Sequence, residues 1–149
     1  MTTTAIDNPG LRLRRWRLSE PVIACEAAAN AKGIDLEHEL KSLLLKTSRG
    51  PTLVHIRGDQ HLSLRAVKKF LVVDQALLAS PSELHHLGLA PGAVHPFAPR
   101  LWESPQLVAR EVLRLDWVTT NAGELMSYVA FDPQILLSAP AVSVGDFER

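Results

Sequence analysis

Two short runs, Lys41-Ser42-Leu43-Leu44-Leu45-Lys46 and Thr52-Leu53-Val54-His55-Ile56-Arg57, stand either side of Ser48-Arg49-Gly50. This pair constrains the fold more than any other stretch of the chain. The first run is apolar at successive positions, so as a strand it is apolar on both faces and belongs inside a sheet. In the second, Thr52, Val54 and Ile56 share one face. With a turn between them the two runs read as a hairpin. The chain has the means to cover it: 46% of its 149 residues are hydrophobic, and a domain of this size buries roughly two-thirds of its unfolded surface.

The flanking sequence is mixed. Leu11 to Leu18 alternates apolar residues with arginines, but the phase slips at Arg14-Arg15, which suits a strand with a bulge or a late start and with Trp16 and Leu18 facing inward. Ser19-Glu20-Pro21 looks like a helix start, residues 22–32 are Ala-rich, and Gly33 is a natural stop. Ser63 can cap a second helix with Leu64, Val67 and Leu71 on one side. After a strand near residues 76–79, Ser80-Pro81-Ser82-Glu83 is a capping box with proline at the first helical position, and the helix ends at Gly88. A Pro- and Gly-rich loop, residues 91–97, follows. Strands are expected at 101–103, 115–120, 127–131 and 141–144, with a helix opening at Asp132-Pro133. Strands and helices do not alternate regularly, so the expected class is α+β with a mixed sheet. Residues 1–10 read as a flexible N-terminus and residues 11–149 as one domain.

Composition removes several function classes. Sixteen basic and sixteen acidic residues cancel, which argues against a purely electrostatic nucleic-acid binder. One cysteine excludes an intramolecular disulfide and a Cys-rich zinc module, and Cys25 reads as a small buried core residue. The first twenty residues hold no run of signal-peptide length and no later stretch could span a membrane, so a cytoplasmic location without membrane partners is expected. The six histidines lack metal-ligand spacing: His85 and His86 are adjacent, and His55 and His61 flank a turn. No nucleophile elbow, Walker loop or dinucleotide fingerprint is present.

Two features carry chemistry. Lys41 opens an otherwise apolar strand and can present a fixed cation at the lip of a pocket, although a strand-end charge reaching solvent is the plainer reading. Gly92-Ala93-Val94-His95-Pro96 can form a stiff loop whose glycine lets a ligand approach and whose N–H groups bind a carbonyl oxygen; an ordinary surface turn is its plainer reading. Basic residues cluster twice, at Arg12, Arg14, Arg15 and Arg17 and again at Arg65, Lys68 and Lys69. Either group is a solvated face or a contact for a nucleic-acid backbone.

The order of these pieces resembles the YbaK/prolyl-tRNA-synthetase editing-domain family. The run from Glu26 through Gly33-Ile34, then Lys41-Ser42-Leu43, Gly58-Asp59, residues 79–84, residues 92–97, Glu103-Ser104, residues 118–123 and residues 131–136 carries the resemblance, which covers roughly Trp16 to Phe147. It implies a compact α+β domain with a mixed, partly barrel-like sheet. It implies hydrolysis of the ester joining a wrong amino acid to the 3′ end of a tRNA, by a trans-acting deacylase needing no metal or cofactor. The implied partners are an aminoacyl-tRNA and, as an open possibility, an aminoacyl-tRNA synthetase, with no DNA. By the same resemblance, Lys41 matches the functional lysine near the terminal adenosine, and Gly92 and Pro96 match the loop holding the aminoacyl group. Ala93, Val94, His95, Asn121 and Gly123 are then candidate substrate contacts, with Tyr128 as a further lining residue and Arg65, Lys68 and Lys69 as tRNA contacts. His95 stands where relatives carry a small serine, so it is expected to narrow or polarise the pocket. A non-catalytic tRNA- or protein-binding module on the same fold, and a hydrolase of small acyl esters, remain open alternatives.

Overall fold

The computed structural model describes residues 3–8, 13–22 and 24–149, with residues 3–8 and 13 described by backbone alone. Among these, the chain runs β1 (Thr3–Asn8), β2 (Leu13–Leu18), α1 (Cys25–Lys32), β3 (Leu40–Thr47), β4 (Gly50–Arg57), α2 (Leu64–Leu71), β5 (Ala76–Leu78), α3 (Pro81–His86), α4 (Pro99–Trp102), β6 (Gln106–Ala109), β7 (Val118–Asn121), β8 (Ser127–Phe131) and β9 (Val142–Gly145). Short 3-10 turns occupy Leu36–His38, Val112–Arg114 and Pro133–Ser138.

The hairpin forms. β3 and β4 pair antiparallel from Leu40–Arg57 to Thr47–Gly50, which sets Ser42 opposite His55 and Leu44 opposite Leu53. Thr47 locks the turn, its Oγ1 donating to the Gly50 carbonyl at 2.8 Å and accepting from Arg49 N at 3.1 Å. The hairpin lies within a sheet of order β5-β3-β4-β6-β9, which β6 and β9 join in parallel. A separate antiparallel sheet runs β1-β2-β8-β7. A parallel bridge between Glu39 and Thr119 links the two sheets. The class is the expected α+β with a mixed sheet; the strands divide between two sheets rather than closing a barrel.

Several elements differ from the sequence expectation. β6 is absent from it: the run Gln106-Leu107-Val108-Ala109 is buried at every position yet only four residues long, opens on a polar side chain and follows a proline, so no alternation betrays it. Residues 101–103, expected as a strand, close helix α4, because Pro99 sits at its first turn and the Leu101 and Trp102 amides bond to Ala98 O at 2.8 and 3.0 Å. α1 starts at Cys25 and Ser19 does not cap it; instead Leu18 N and Val22 N bond to Met126 O and Leu125 O, tying this segment to the loop before β8. Residues 3–8 form an edge strand. Of the two forms that suit the slipped phase, β2 takes the late start: it begins at Leu13, and its register with β1 runs to Leu18 without a bulge. Pro9 and Gly10, expected in a turn, lie outside the described residues, as does Arg12. The segment after Asp132 is a 3-10 turn, capped by Asp132 Oδ1 accepting from Gln134 N at 2.9 Å.

Other local signals act as read. Gly33 takes the left-handed conformation (φ 68°) that ends α1. Ser63 caps α2, and the reciprocal Ser80–Glu83 box caps α3. Three apolar clusters follow from these elements. The largest gathers Leu45, Val54, Ile56, Leu107, Val108, Phe131 and Phe147. A second joins Trp16, Leu18 and Ala28 to Tyr128. The third clamps Leu44 and Leu53 of the hairpin against Leu84, Val94 and Leu101. It is this last cluster that fixes the loop of residues 92–98 over the hairpin. Among the described residues, no helix is long and apolar enough to cross a membrane.

Candidate functional site

Gly92 adopts φ 80°, a conformation that a Cβ disfavours. The loop it opens is held from across the molecule. Asn121, at the end of β7, donates through Nδ2 to Val94 O at 3.0 Å and Gly92 O at 3.4 Å, while its Oδ1 accepts from Gly123 N at 3.0 Å. Between this loop, the start of β3 and α1 lies a cavity of about 120 Å³ walled by Lys41, Ser42, Gly92, Val94, Asn121 and Tyr128, together with Cys25 and Glu39.

Of the residues singled out from sequence, Lys41, Gly92, Val94 and Asn121 therefore meet in one cavity, joined by Tyr128. Ala93, His95 and Gly123 line a second cavity of about 550 Å³, together with His85, His86 and Arg100. His95 therefore lines the larger cavity and not the smaller one. A Cβ at Gly123 would lie 3.3 Å from its Nε2, so the absence of a side chain there makes room for the ring. Burial holds the His95 imidazole below its ordinary pKa. Pro96 is buried and stands in neither wall. Arg65, Lys68 and Lys69 lie on α2, outside both walls, with Arg65 and Lys69 exposed. In the other basic cluster, Arg14 lies over the Trp16 ring and Arg17 pairs with Glu124 at 3.3 Å.

The Lys41 ammonium donates to Gln60 O at 2.6 Å, which fixes it beside the turn after β4. That turn is itself seated by Gly58, whose N–H bonds to Glu39 O at 2.7 Å and whose missing Cβ would otherwise stand 2.8 Å from that of Glu39. Cys25, expected in the core, is partly exposed and borders the cavity. Burial, then the Glu39 carboxylate, raises its pKa, so the thiol stays protonated and is a poor nucleophile.

Two buried polar groups beside the cavity escape a reading of the sequence. Lys32 and Glu39 form an ion pair, and Thr119 Oγ1 accepts from Lys32 at 2.8 Å and donates to Glu39 at 3.0 Å. The Lys32 ammonium also lies 3.9 Å from the centre of the Tyr128 ring. The second group is His55, fully buried, with Nδ1 2.8 Å from Ser42 Oγ and Nε2 2.8 Å from Gln106 Oε1. In the sequence Lys32 and Glu39 look like ordinary polar residues of a helix end and a charged turn, and His55 like a lone polar residue in a strand.

A family profile for the aminoacyl-tRNA editing domain matches residues 19–138, most of the chain and all of the cavity wall. This chain belongs to the aminoacyl-tRNA editing domain family. The editing domain is 32% identical over 112 residues to a proline--tRNA ligase of Stenotrophomonas maltophilia (strain R551-3), a match covering 71% of this chain and 19% of the ligase. It is 33% identical over 67 residues to the proline--tRNA ligase of Leptospira borgpetersenii serovar Hardjo-bovis (strain L550), covering 45% of this chain and 12% of that ligase. The domain thus spans about a fifth or less of the length of these relatives. Its fold is also that of a solved candidate trans-editing enzyme for prolyl tRNA synthetase, with TM-score 0.79 and 23% identity over 92% of this chain and 87% of that one. A solved hypothetical protein superposes with TM-score 0.82 and 25% identity over 94% and 93% of the two chains.

Proposed function

We propose that this editing domain is an aminoacyl-tRNA deacylase acting in trans, which hydrolyses the ester between a wrongly attached amino acid and the 3′-terminal ribose of a tRNA. The observation that carries the reading is the small cavity in which Lys41 of the hairpin and Gly92 of the pinned loop share one wall, within a chain of this family. Similarity to a segment of proline--tRNA ligases supports tRNA-Pro as the carrier.

The chemistry needs little from the protein. A water oxygen bonds to the ester carbonyl carbon, negative charge gathers on the carbonyl oxygen, the carbon–oxygen bond to ribose breaks, and the ribose oxygen takes a proton. Aminoacyl esters are activated, so holding the ester beside a water and hydrogen-bonding the oxyanion supplies most of what catalysis requires. Gly92 allows backbone to approach the acyl group, and Lys41, with N–H bonds beyond the one given to Gln60, supplies a fixed cation for the nucleotide end. A volume of about 120 Å³ suits a small side chain. Size exclusion can do what attraction cannot, since one methylene is worth only about 1–3 kcal/mol in a pocket. Arg65, Lys68 and Lys69 are assigned to the tRNA backbone away from the 3′ end.

A panel of mischarged tRNAs, presented to the wild type and to Lys41→Ala, tests this. Release of at least one amino acid by the wild type, lost in a folded Lys41→Ala variant, is the expected result. A panel left wholly intact overturns it. The competing reading, a tRNA-binding module without turnover, predicts salt-dependent tRNA binding and no release.

A further inference from the structure

The chain Ser42–His55–Gln106 has a direction. Gln106 Nε2 donates to Trp102 O at 3.0 Å and Leu101 O at 3.4 Å, so its amide cannot turn over and its Oε1 must face His55. Oε1 only accepts, so His55 Nε2 carries the hydrogen. Desolvation in this fully buried position keeps the ring neutral, its pKa lowered to about 4, so Nδ1 is bare and accepts. Among the described residues the hydrogen-bond partner of Nδ1 is the Ser42 hydroxyl, whose O–H therefore donates to it. The same low basicity makes His55 a weak general base, so the arrangement does not build a serine nucleophile.

What it builds is a hydroxyl of fixed polarity. Ser42 lines the cavity, and with its hydroxyl hydrogen directed to His55 its Oγ has only lone pairs left to offer. Of the other polar side chains of the wall, Lys41 has no lone pair to offer, Asn121 is spent on the loop, Glu39 Oε1 takes the bonds from Lys32 and Thr119, and the Tyr128 hydroxyl is 3.4 Å from Val22 O. We infer that Ser42 is a specificity-determining residue that accepts a hydrogen bond from the α-ammonium group of the aminoacyl moiety, its acceptor polarity imposed by His55 and Gln106. This rests on the editing reading and adds to it: the site reads the amino group as well as the size of the side chain, and acyl esters lacking that donor are disfavoured.

The test compares the tRNA ester that the wild type hydrolyses fastest with the ester of the same acyl chain lacking its amino group, for wild type, Ser42→Ala and Ser42→Thr. Intrinsic reactivity differs between the two esters but cancels when their kcat/KM ratio is compared across variants. The expected result is a fall in that ratio of about ten- to a hundredfold in Ser42→Ala, the span of a hydrogen bond to a charged group, with the ratio restored in Ser42→Thr. Equal loss on both esters, or no loss, overturns the inference while the deacylase reading stands. Nitrogen NMR of the His55 ring in the whole protein is the second measurement. Protonation at Nε2 supports the assigned polarity, and protonation at Nδ1 overturns it. If the wild type hydrolyses no aminoacyl-tRNA, the editing reading falls, and the ring measurement still decides the polarity of Ser42.

Discussion

The Lys32 and Glu39 side chains, 0% and 3% exposed, meet as an ion pair at the cavity wall, which Glu39 helps to line. Burial drives both toward neutrality, lowering the lysine pKa and raising that of the glutamate, and each opposes the shift of the other. Removing one partner strands a buried charge. Lys32→Met is therefore expected to cost roughly 3–5 kcal/mol in urea unfolding. The double variant Lys32→Met with Glu39→Leu is expected to be more stable than that single variant. A double variant as unstable as the sum of the two singles would refute the coupling.

His55 predicts an acid sensitivity. Its folded-state pKa of about 4 lies below the ordinary 6.5, so the unfolded chain takes up a proton that the folded protein refuses. Its contribution is complete above the ordinary value and fades as pH falls from 6.5 toward 4. The full loss is about 3 kcal/mol. His95, depressed in the same direction, adds to the slope. Unfolding free energies over this range, for wild type against His55→Leu, isolate the His55 part: the variant starts lower but declines less steeply.

Asn121→Asp keeps the shape of the loop pin but sets a carboxylate where a donor faces two carbonyl oxygens. Leaving such groups unpaired costs about 1–3 kcal/mol, so the melting temperature at neutral pH is expected to fall. Deacylation is expected to drop at least about tenfold, since that factor corresponds to only about 1.4 kcal/mol of misplacement. Acidification that protonates the carboxyl should return part of the stability relative to wild type, as read by parallel melts.

If α2 meets phosphates, replacing Arg65 and Lys69 with alanine weakens tRNA binding and flattens its salt dependence. The slope of log K against log salt is expected to shrink by about 0.9 for each phosphate no longer neutralised on duplex RNA, taking the value for duplex DNA as a guide. An unchanged slope places the tRNA backbone elsewhere on the protein.

Local signals in the sequence serve well where one residue type answers one local need. Gly33 ends α1, Ser80 and Glu83 close a capping box, and the hairpin follows from its two runs. They serve less well where tertiary contacts decide. Ser19 has the chemistry of a cap, but backbone bonds to residues 125 and 126 draw that segment into the neighbouring sheet. Part of the cavity is legible, because Lys41, Gly92, Val94 and Asn121 stand in motifs with a recognisable order. The roles of Ser42, His55 and Gln106 are not, because a hydrogen-bond chain across three strands leaves no spacing in any one of them.

The interior strand β6 pairs on one side with residues 53–55 and on the other with residues 142–145. During synthesis the hairpin can close early, but β6 gains its second neighbour only when the chain has emerged from the ribosome as far as Gly145. Until then one edge of this buried strand stands open to other nascent or misfolded chains. A chain that stops short of β9 therefore lacks the second partner of β6 and leaves the edge of a buried strand prone to aggregate.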